Sequence, residues 1–314
     1  MNSIILENSI QQQIKYLKEV KNAVILAHYY QDPLIQDVAD FVGDSLELSK
    51  KAMETNASII VFAGVHFMGE TAKILNPGKK VLIPDLEAGC SLSDSCTPKA
   101  FKKEKALFPD HVFVTYINCS AEVKAMSDII CTSANAEKII QSIPLEKKIY
   151  FSPDKNLGKY LISKTGREMR VWDGACIVHE AFSIEKTMEL MKEYPNAKIL
   201  VHPESEMQLL KIADFVGSTS AMLRYVQEDT TKDYLIGTES GIIHQMAIKV
   251  PWKTLIPIPI HQDNTCACSE CAFMKVNTLQ KLYDCLLQET PEIILDTDIQ
   301  QRALQPLLRM LKLS

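Results

Sequence analysis

Residues 25–45 read ILAHYYQDPLIQDVADFVGDS, and two later segments align with them without a gap: FVTYINCSAEVKAMSDIICTS from Phe113 and ILVHPESEMQLLKIADFVGST from Ile199. The spacings are 88 and 86 residues. Each segment opens on a short apolar run that ends in polar residues. A helical stretch of about ten residues follows. An aspartate (Asp40, Asp128, Asp214) then precedes a three-residue apolar run ending at Ser45, Ser133 or Thr219. A fixed period of this kind marks a repeated architecture.

The alternation continues beyond the aligned segments. SIIVFAG, KKIYFSP and DYLIGTE supply a third strand, and KVLIPD, REMRVWDG and KTLIPIPI a fourth. Short apolar runs alternating with helical periodicity predict parallel sheets covered by helices. We therefore expect an α/β fold of three homologous α/β/α domains with short parallel sheets, in a pseudo-threefold triangle around a central active site. The expected divisions are residues 1–95 with an N-terminal helix, 96–182, 183–272, and C-terminal helices over 273–314.

Composition agrees with an enzyme. The 314 residues are 46% apolar and 23% charged, with 34 basic against 39 acidic residues. A net charge of −5 without a dense basic run gives no footprint for nucleic acid. No apolar run approaches the roughly 18–20 residues that cross a bilayer. MNSIILENSIQQQIKYLKEV lacks the basic-then-apolar order of a signal peptide and reads as an amphipathic helix. We expect a cytoplasmic protein with no membrane partner.

In open parallel sheets, ligands bind beyond the carboxyl ends of the strands. Residues at equivalent ends are therefore read together. First-strand ends give His28 and Tyr30, Tyr116 and Asn118, His202 and Glu204. Second-strand ends give Ser45, Ser133, and Ser218 with Thr219, hydroxyls placed to cap the next helix beside free N–H groups that favour carboxylate or phosphate. Taken singly, each hydroxyl is most simply a helix cap and each histidine a hydrogen-bonded structural residue. Their recurrence in three units points to a shared site. Asp40, Asp128 and Asp214 recur too, but at strand starts, and read as structural.

Nine cysteines, an odd number, argue against a disulfide framework. Cys131 and Cys285 fall in apolar patterns and read as buried filler. Fourth-strand ends give Cys90, Cys176 in VWDGAC, and the run CACSEC at 266–271. Cys90 to Cys176 is one period of 86 residues, whereas Cys176 to Cys271 is 95, so the third unit carries an insertion. A single CxxC fits a redox pair or half a zinc site. One cysteine per unit suits an iron–sulfur cluster on the threefold axis, with one iron open to substrate as a Lewis acid. HFMGETAK at His66 reads as a helix start, and Lys155 and Asn156 in SPDKNLGKYL as residues near the cavity. His244, His261 and Glu239 are left undecided, and His179 with Glu180 opens a helix without a direct catalytic role.

AHYYQDPLIQDVADFVGDS, GVHFMGETAKILNP, PDLEAGCSLSDSC, YINCSAEVKAMSDIICTSANA, FSPDKNLGKY, VWDGACIVHE, VHPE, GSTSAM, GTESGIIHQM and CSECAFMKVNTLQKL together resemble the quinolinate synthase family of bacterial NAD biosynthesis. The resemblance covers nearly the whole chain. It implies a triangle of three α/β domains and a 4Fe–4S cluster held by three cysteines, matching Cys90, Cys176 and, directly before AFMK, Cys271. It implies condensation of iminoaspartate with dihydroxyacetone phosphate to quinolinate, with release of phosphate and water, and an iminoaspartate-producing enzyme as partner. The family's pocket matches His28, Tyr30, Ser45, Tyr116, Asn118, Ser133, His202, Glu204, Ser218 and Thr219. Within it we expect Tyr30, His202 and Glu204 to move protons. His28 and Tyr116 would orient substrate, and Asn118, Ser45, Ser133, Ser218 and Thr219 would hold its anionic groups. One departure stands out. Many members carry CxxCxxC, whereas here Cys266 and Cys268 are separated by one residue, which puts the redox switch proposed for that pair in doubt.

Overall fold

The computed structural model describes residues 9–261 and 269–314. Twelve strands form three four-stranded sheets among these residues. The first holds β1 (Ala23–His28), β2 (Phe41–Gly43), β3 (Ile59–Ala63) and β4 (Lys80–Leu82). The second holds β5 (His111–Tyr116), β6 (Ile129–Cys131), β7 (Lys148–Ser152) and β8 (Met169–Val171). The third holds β9 (Lys198–Val201), β10 (Phe215–Val216), β11 (Asp233–Gly237) and β12 (Thr254–Pro257). Orders are β2-β1-β3-β4, β6-β5-β7-β8 and β10-β9-β11-β12, with every pairing parallel. The repeat in the sequence is thus a repeat in topology and register. Leu26 faces Phe41, Val114 faces Ile129, and Leu200 faces Phe215.

Central strands are apolar and almost wholly buried, IIVFA throughout and AVILAH up to its terminal His28, because helices cover both faces of each sheet. The recurring aspartates lock each unit. Asp40, Asp128 and Asp214 each accept a hydrogen bond at 2.8 Å from the N–H of the residue 15 positions earlier, at Ile25, Phe113 and Ile199. Each also donates its own N–H to that residue's carbonyl, at 2.9, 3.1 and 2.9 Å. The structural role expected of these residues is what the geometry provides.

Two expectations about the repeat are corrected. The helix after the first strand has six residues in each unit (Pro33–Val38, Ala121–Met126, Met207–Ile212) rather than ten. It ends early because Ala39, Ser127 and Ala213 turn extended to bring the locking aspartate back to the first strand. Of the second-strand hydroxyls, only Ser218 caps a helix, accepting from Ala221 N at 3.3 Å. Asp44 caps the helix that begins at Ser45, in a capping box with Glu47. In the second unit Asn135 binds back to Thr132 N at 2.7 Å, which delays the helix to Ala136 and leaves Ser133 in the turn.

The C-terminal helices fasten onto the units. Leu279–Gln288 packs on the N-terminal helix Ile10–Val20, and Thr297–Lys312 packs on the helix Ala121–Met126, on β6 and on the helix His66–Leu75. No helix among the described residues is long and apolar enough to cross a membrane.

Candidate active site

The loops that leave the fourth strands repeat a single hydrogen bond. His66 N donates to Ala88 O at 2.7 Å, Lys155 N to Gly174 O at 2.7 Å, and Ser240 N to Ser269 O at 3.1 Å. Each carbonyl belongs to the residue two before a cysteine: Cys90, Cys176 or Cys271. Each of these cysteines is then the cap residue of a short helix, at Ser91–Ser95, Ile177–Glu180 and Ala272–Lys275. Cys271 is therefore the structural equivalent of Cys90 and Cys176 despite the insertion before it. Gly174 makes the approach in the second unit possible, since a Cβ there would lie 2.6 Å from Pro153 O.

All three thiols are uncoupled by any disulfide and line one cavity. Burial pushes the Cys90 thiol up to about 12 and raises those of Cys176 and Cys271. The backbone N–H groups at each helix start pull the other way: Leu92 and Ser93 for Cys90, His179 for Cys176, Phe273 and Met274 for Cys271. Cys176 is raised further by both Cys90 and Cys271, because a second thiolate nearby repels the first. Three crowded, desolvated thiols, of which Cys271 alone is eased by a cation, Lys275, are poor as free thiolates. Backbone dipoles aimed at each sulfur suit the anionic thiolates that a metal cluster requires. The donor set fits a three-cysteine cluster site.

The same cavity gathers the strand-end residues. His28, Tyr30, Ser45, Tyr116, Asn118, Ser133, His202, Glu204 and Thr219 all line it. Ser218 is buried beside it and occupied as a cap, in contact with Ser220 Oγ at 3.1 Å. The Asn118 side-chain oxygen is buried with no hydrogen-bond partner, an acceptor left for something that enters the cavity.

Glu204 is the electrostatic centre. Its Oε2 lies 2.8 Å from His179 Nδ1 and 3.8 Å from His202 Nδ1, and the Tyr116 hydroxyl hydrogen-bonds to it. Burial pushes this carboxyl up, but His179, His202 and Tyr116 outweigh it and hold the group down at about 2. Glu204 is accordingly a carboxylate. His28 and His202 are lowered to about 3 by burial, against the pull of Glu204, and are neutral. Their Nδ1 atoms accept the N–H two residues on, from Tyr30 at 3.2 Å and Glu204 at 3.5 Å, which assigns the proton to Nε2. His202 Nε2 then donates to Ser133 Oγ at 3.1 Å. The phenols of Tyr30 and Tyr116 are raised well above their ordinary value, by burial first and Glu204 next, and stay protonated.

The sequence missed several residues of this site. His179 sits inside it, touching Cys176 Sγ at 3.2 Å and Thr238 Oγ1 at 3.0 Å as well as Glu204. Cys176, His179 and Glu204 together make a metal-competent group. Tyr30 shares Thr238 through a 2.6 Å hydrogen bond. Glu239, left undecided, lines the cavity, as do Asp44, Phe273 and Met274. The one available signal was His179 lying three residues after a repeat-positioned cysteine. His66, Lys155, His244 and His261 do not line the cavity. Lys155 pairs with Glu180 at 2.6 Å and His244 with Asp37 at 2.7 Å. Asn156 is absent from the lining and holds Glu204 from behind, donating to its carbonyl at 3.1 Å. Cys266 and Cys268 lie outside the described residues.

A family profile described as "Quinolinate synthetase A protein" matches residues 12–312. Proteins named quinolinate synthase from Thermosynechococcus vestitus and Nostoc punctiforme are each 57% identical to this chain over 301 residues. These alignments cover 96% of the chain and 94% and 92% of the relatives. One from Chloroherpeton thalassium is 56% identical over 303 residues, covering 96% of the chain and 94% of the relative.

Proposed function

The chain belongs to the quinolinate synthetase A family, and from that premise we propose that it is a quinolinate synthase of NAD biosynthesis, condensing iminoaspartate with dihydroxyacetone phosphate. The products are quinolinate, inorganic phosphate and two waters. Atoms balance without an oxidant or reductant, so the reaction needs acid–base and Lewis-acid help and no electron acceptor. The observation that carries this reading is the equivalence of Cys90, Cys176 and Cys271, three thiols at one cavity with Glu204 between His179 and His202. The proposed organisation is the one expected from the repeat: units over 1–95, 96–182 and 183–272, then C-terminal helices over 273–314, in a cytoplasmic protein supplied by an iminoaspartate-producing enzyme.

A 4Fe–4S cluster bound by Cys90, Cys176 and Cys271 would supply a Lewis acid at its fourth iron, which suits the dehydrations. The chain's own residues do the rest. Asn118 offers its unpartnered oxygen to a substrate N–H or O–H. Ser45 and Thr219, the first residues of their helices, and Ser133 in its turn offer hydroxyls to carboxylate and phosphate. Ser218 supports Thr219 from the cap position. Glu204 is assigned as the proton acceptor because it is a cavity carboxylate that stays ionised at neutral pH, with His179 at 2.8 Å beside it. His202 and Tyr30 carry protons to and from leaving oxygens, the histidine through Nε2 and the tyrosine through its phenol. His28 and Tyr116 fix the substrate's orientation against them.

The test is chemical. Protein purified without oxygen should be brown, absorb near 400 nm, contain about four irons and four sulfides per chain, and form quinolinate from the two substrates. A colourless, zinc-loaded and fully active preparation overturns the cluster reading. A preparation that carries the cluster and forms no quinolinate overturns the enzymatic one.

A further inference from the structure

The third cysteine arrives on a chain nine residues longer than the second one's period predicts, so something must fix where its loop docks. The residue two past the end of the third strand is Val65 in the first unit, Asp154 in the second and Glu239 in the third, by the strand registers. Glu239 is fully buried. Its Oε1 accepts the Cys271 N–H at 3.1 Å and lies 3.2 Å from Lys275 Nζ, while its Oε2 accepts the Gly241 N–H at 2.7 Å. Lys275 Nζ also donates to the Tyr30 carbonyl at 3.0 Å, which ties the same hub to the first unit. A buried carboxylate is costly unless every lone pair finds a donor, and here three donors converge on it. None of the acid–base work described above uses this group.

We propose that Glu239 is the positioning residue of the third cysteine, its carboxylate holding the Cys271 N–H and the Lys275 ammonium so that the Cys271 thiol points into the cavity. The inference rests on the cluster reading. Partners of this kind behind metal ligands commonly change metal retention by 10–100-fold when removed. Glutamine is a sharp probe because it is nearly isosteric. Its amide has one acceptor oxygen, so it cannot serve both the Cys271 and Gly241 N–H groups.

The experiment uses anaerobically prepared Glu239→Ala and Glu239→Gln protein beside wild type. Three quantities are read: the rate at which a chelator bleaches the 400 nm band, the electron-paramagnetic spectrum of the reduced cluster, and the urea midpoint. We expect bleaching at least about 10-fold faster in the alanine variant and about 3-fold faster in the glutamine variant. The reduced-state spectrum should shift in both, and the urea midpoint should fall further in the alanine variant than in the glutamine variant, which keeps one of the two N–H acceptors. A Glu239→Gln protein with the wild-type bleaching rate and spectrum overturns the assignment, and it stands as the deciding variant if the alanine protein does not fold. Wild-type protein that holds no iron and sulfide overturns the cluster reading instead, so the two failures are distinct.

Discussion

His179 Nδ1 lies 2.8 Å from Glu204 Oε2 with both side chains about 2–3% exposed, and the same imidazole nitrogen lies 3.2 Å from Cys176 Sγ. The helix that presents one cysteine thus also delivers a histidine to the carboxylate at the end of β9. Glu204→Gln keeps the shape of this contact and removes its charge. We expect kcat to fall by about 100-fold or more, with iron and sulfide content unchanged, in assays of quinolinate formation beside metal analysis. A variant with normal kcat removes Glu204 from the role of base.

Much of this site was legible because chemistry and repeat coincided. His28, Tyr116 and His202 were found at equivalent ends of β1, β5 and β9, and Cys90 and Cys176 one period apart, since parallel strands in matching register deliver equivalent residues to one end of each sheet. What escaped notice came from elsewhere. His179 lies in a four-residue helix whose inward face no periodicity reveals. Thr238 and Glu239 follow the third strand, where the three units carry Gly-Val, Pro-Asp and Thr-Glu and so share no side chain. The hydroxyls were assigned one shared capping role because the alignment could not show that Asp44 takes it in the first unit and that Asn135, bound back to Thr132, moves the helix start in the second.

The aspartate locks should matter for stability and not for chemistry. Asp214→Ala leaves the Ile199 N–H without its side-chain acceptor at the outer end of β9, away from the cavity. The hydrogen bond is partly exposed, so a loss of about 1–2 kcal/mol is expected, seen as a lower urea midpoint with kcat per folded molecule within a factor of two. A large drop in kcat at unchanged stability would contradict the structural role of the repeat's most regular feature.

Two histidines give the fold an acid-labile contribution, opposed over the same range by the buried carboxyls of Glu239, raised to about 7, and Asp154, raised well above its ordinary value. His28 and His202 are held at about 3 in the folded chain by burial, whereas an unfolded histidine titrates near 6.5. Below about pH 6.5 the unfolded chain therefore binds more protons than the folded one at these two positions. Their contribution to stability is fully present above that pH and is lost as pH falls toward 3, at roughly 1.4 kcal/mol per pH unit for each histidine. Urea unfolding of metal-free protein at pH 7 and pH 5.5 reads this slope without interference from acid release of a cluster. Relative to wild type, His28→Gln should lower the histidine part of the slope by up to about 1.4 kcal/mol per pH unit, and an unchanged slope would mean that His28 binds protons equally in the folded and unfolded chains.

The cysteines separate into two classes that one experiment can distinguish. Cys90, Cys176 and Cys271 cap short helices and line the cavity, with N–H groups aimed at each sulfur. Cys119 and Cys285 are buried outside its lining, in apolar clusters. Serine at any of the first three exchanges a thiolate for a hydroxyl that stays protonated at neutral pH, and should remove at least three-quarters of the iron and abolish quinolinate formation. Cys119→Ser places a polar group in a tight apolar site, so it should lower the urea midpoint and leave iron content and kcat intact. If Cys271→Ser retains the cluster while Cys119→Ser loses it, the equivalence drawn from the three loop hydrogen bonds is wrong, and the ligand set must be sought elsewhere in the chain.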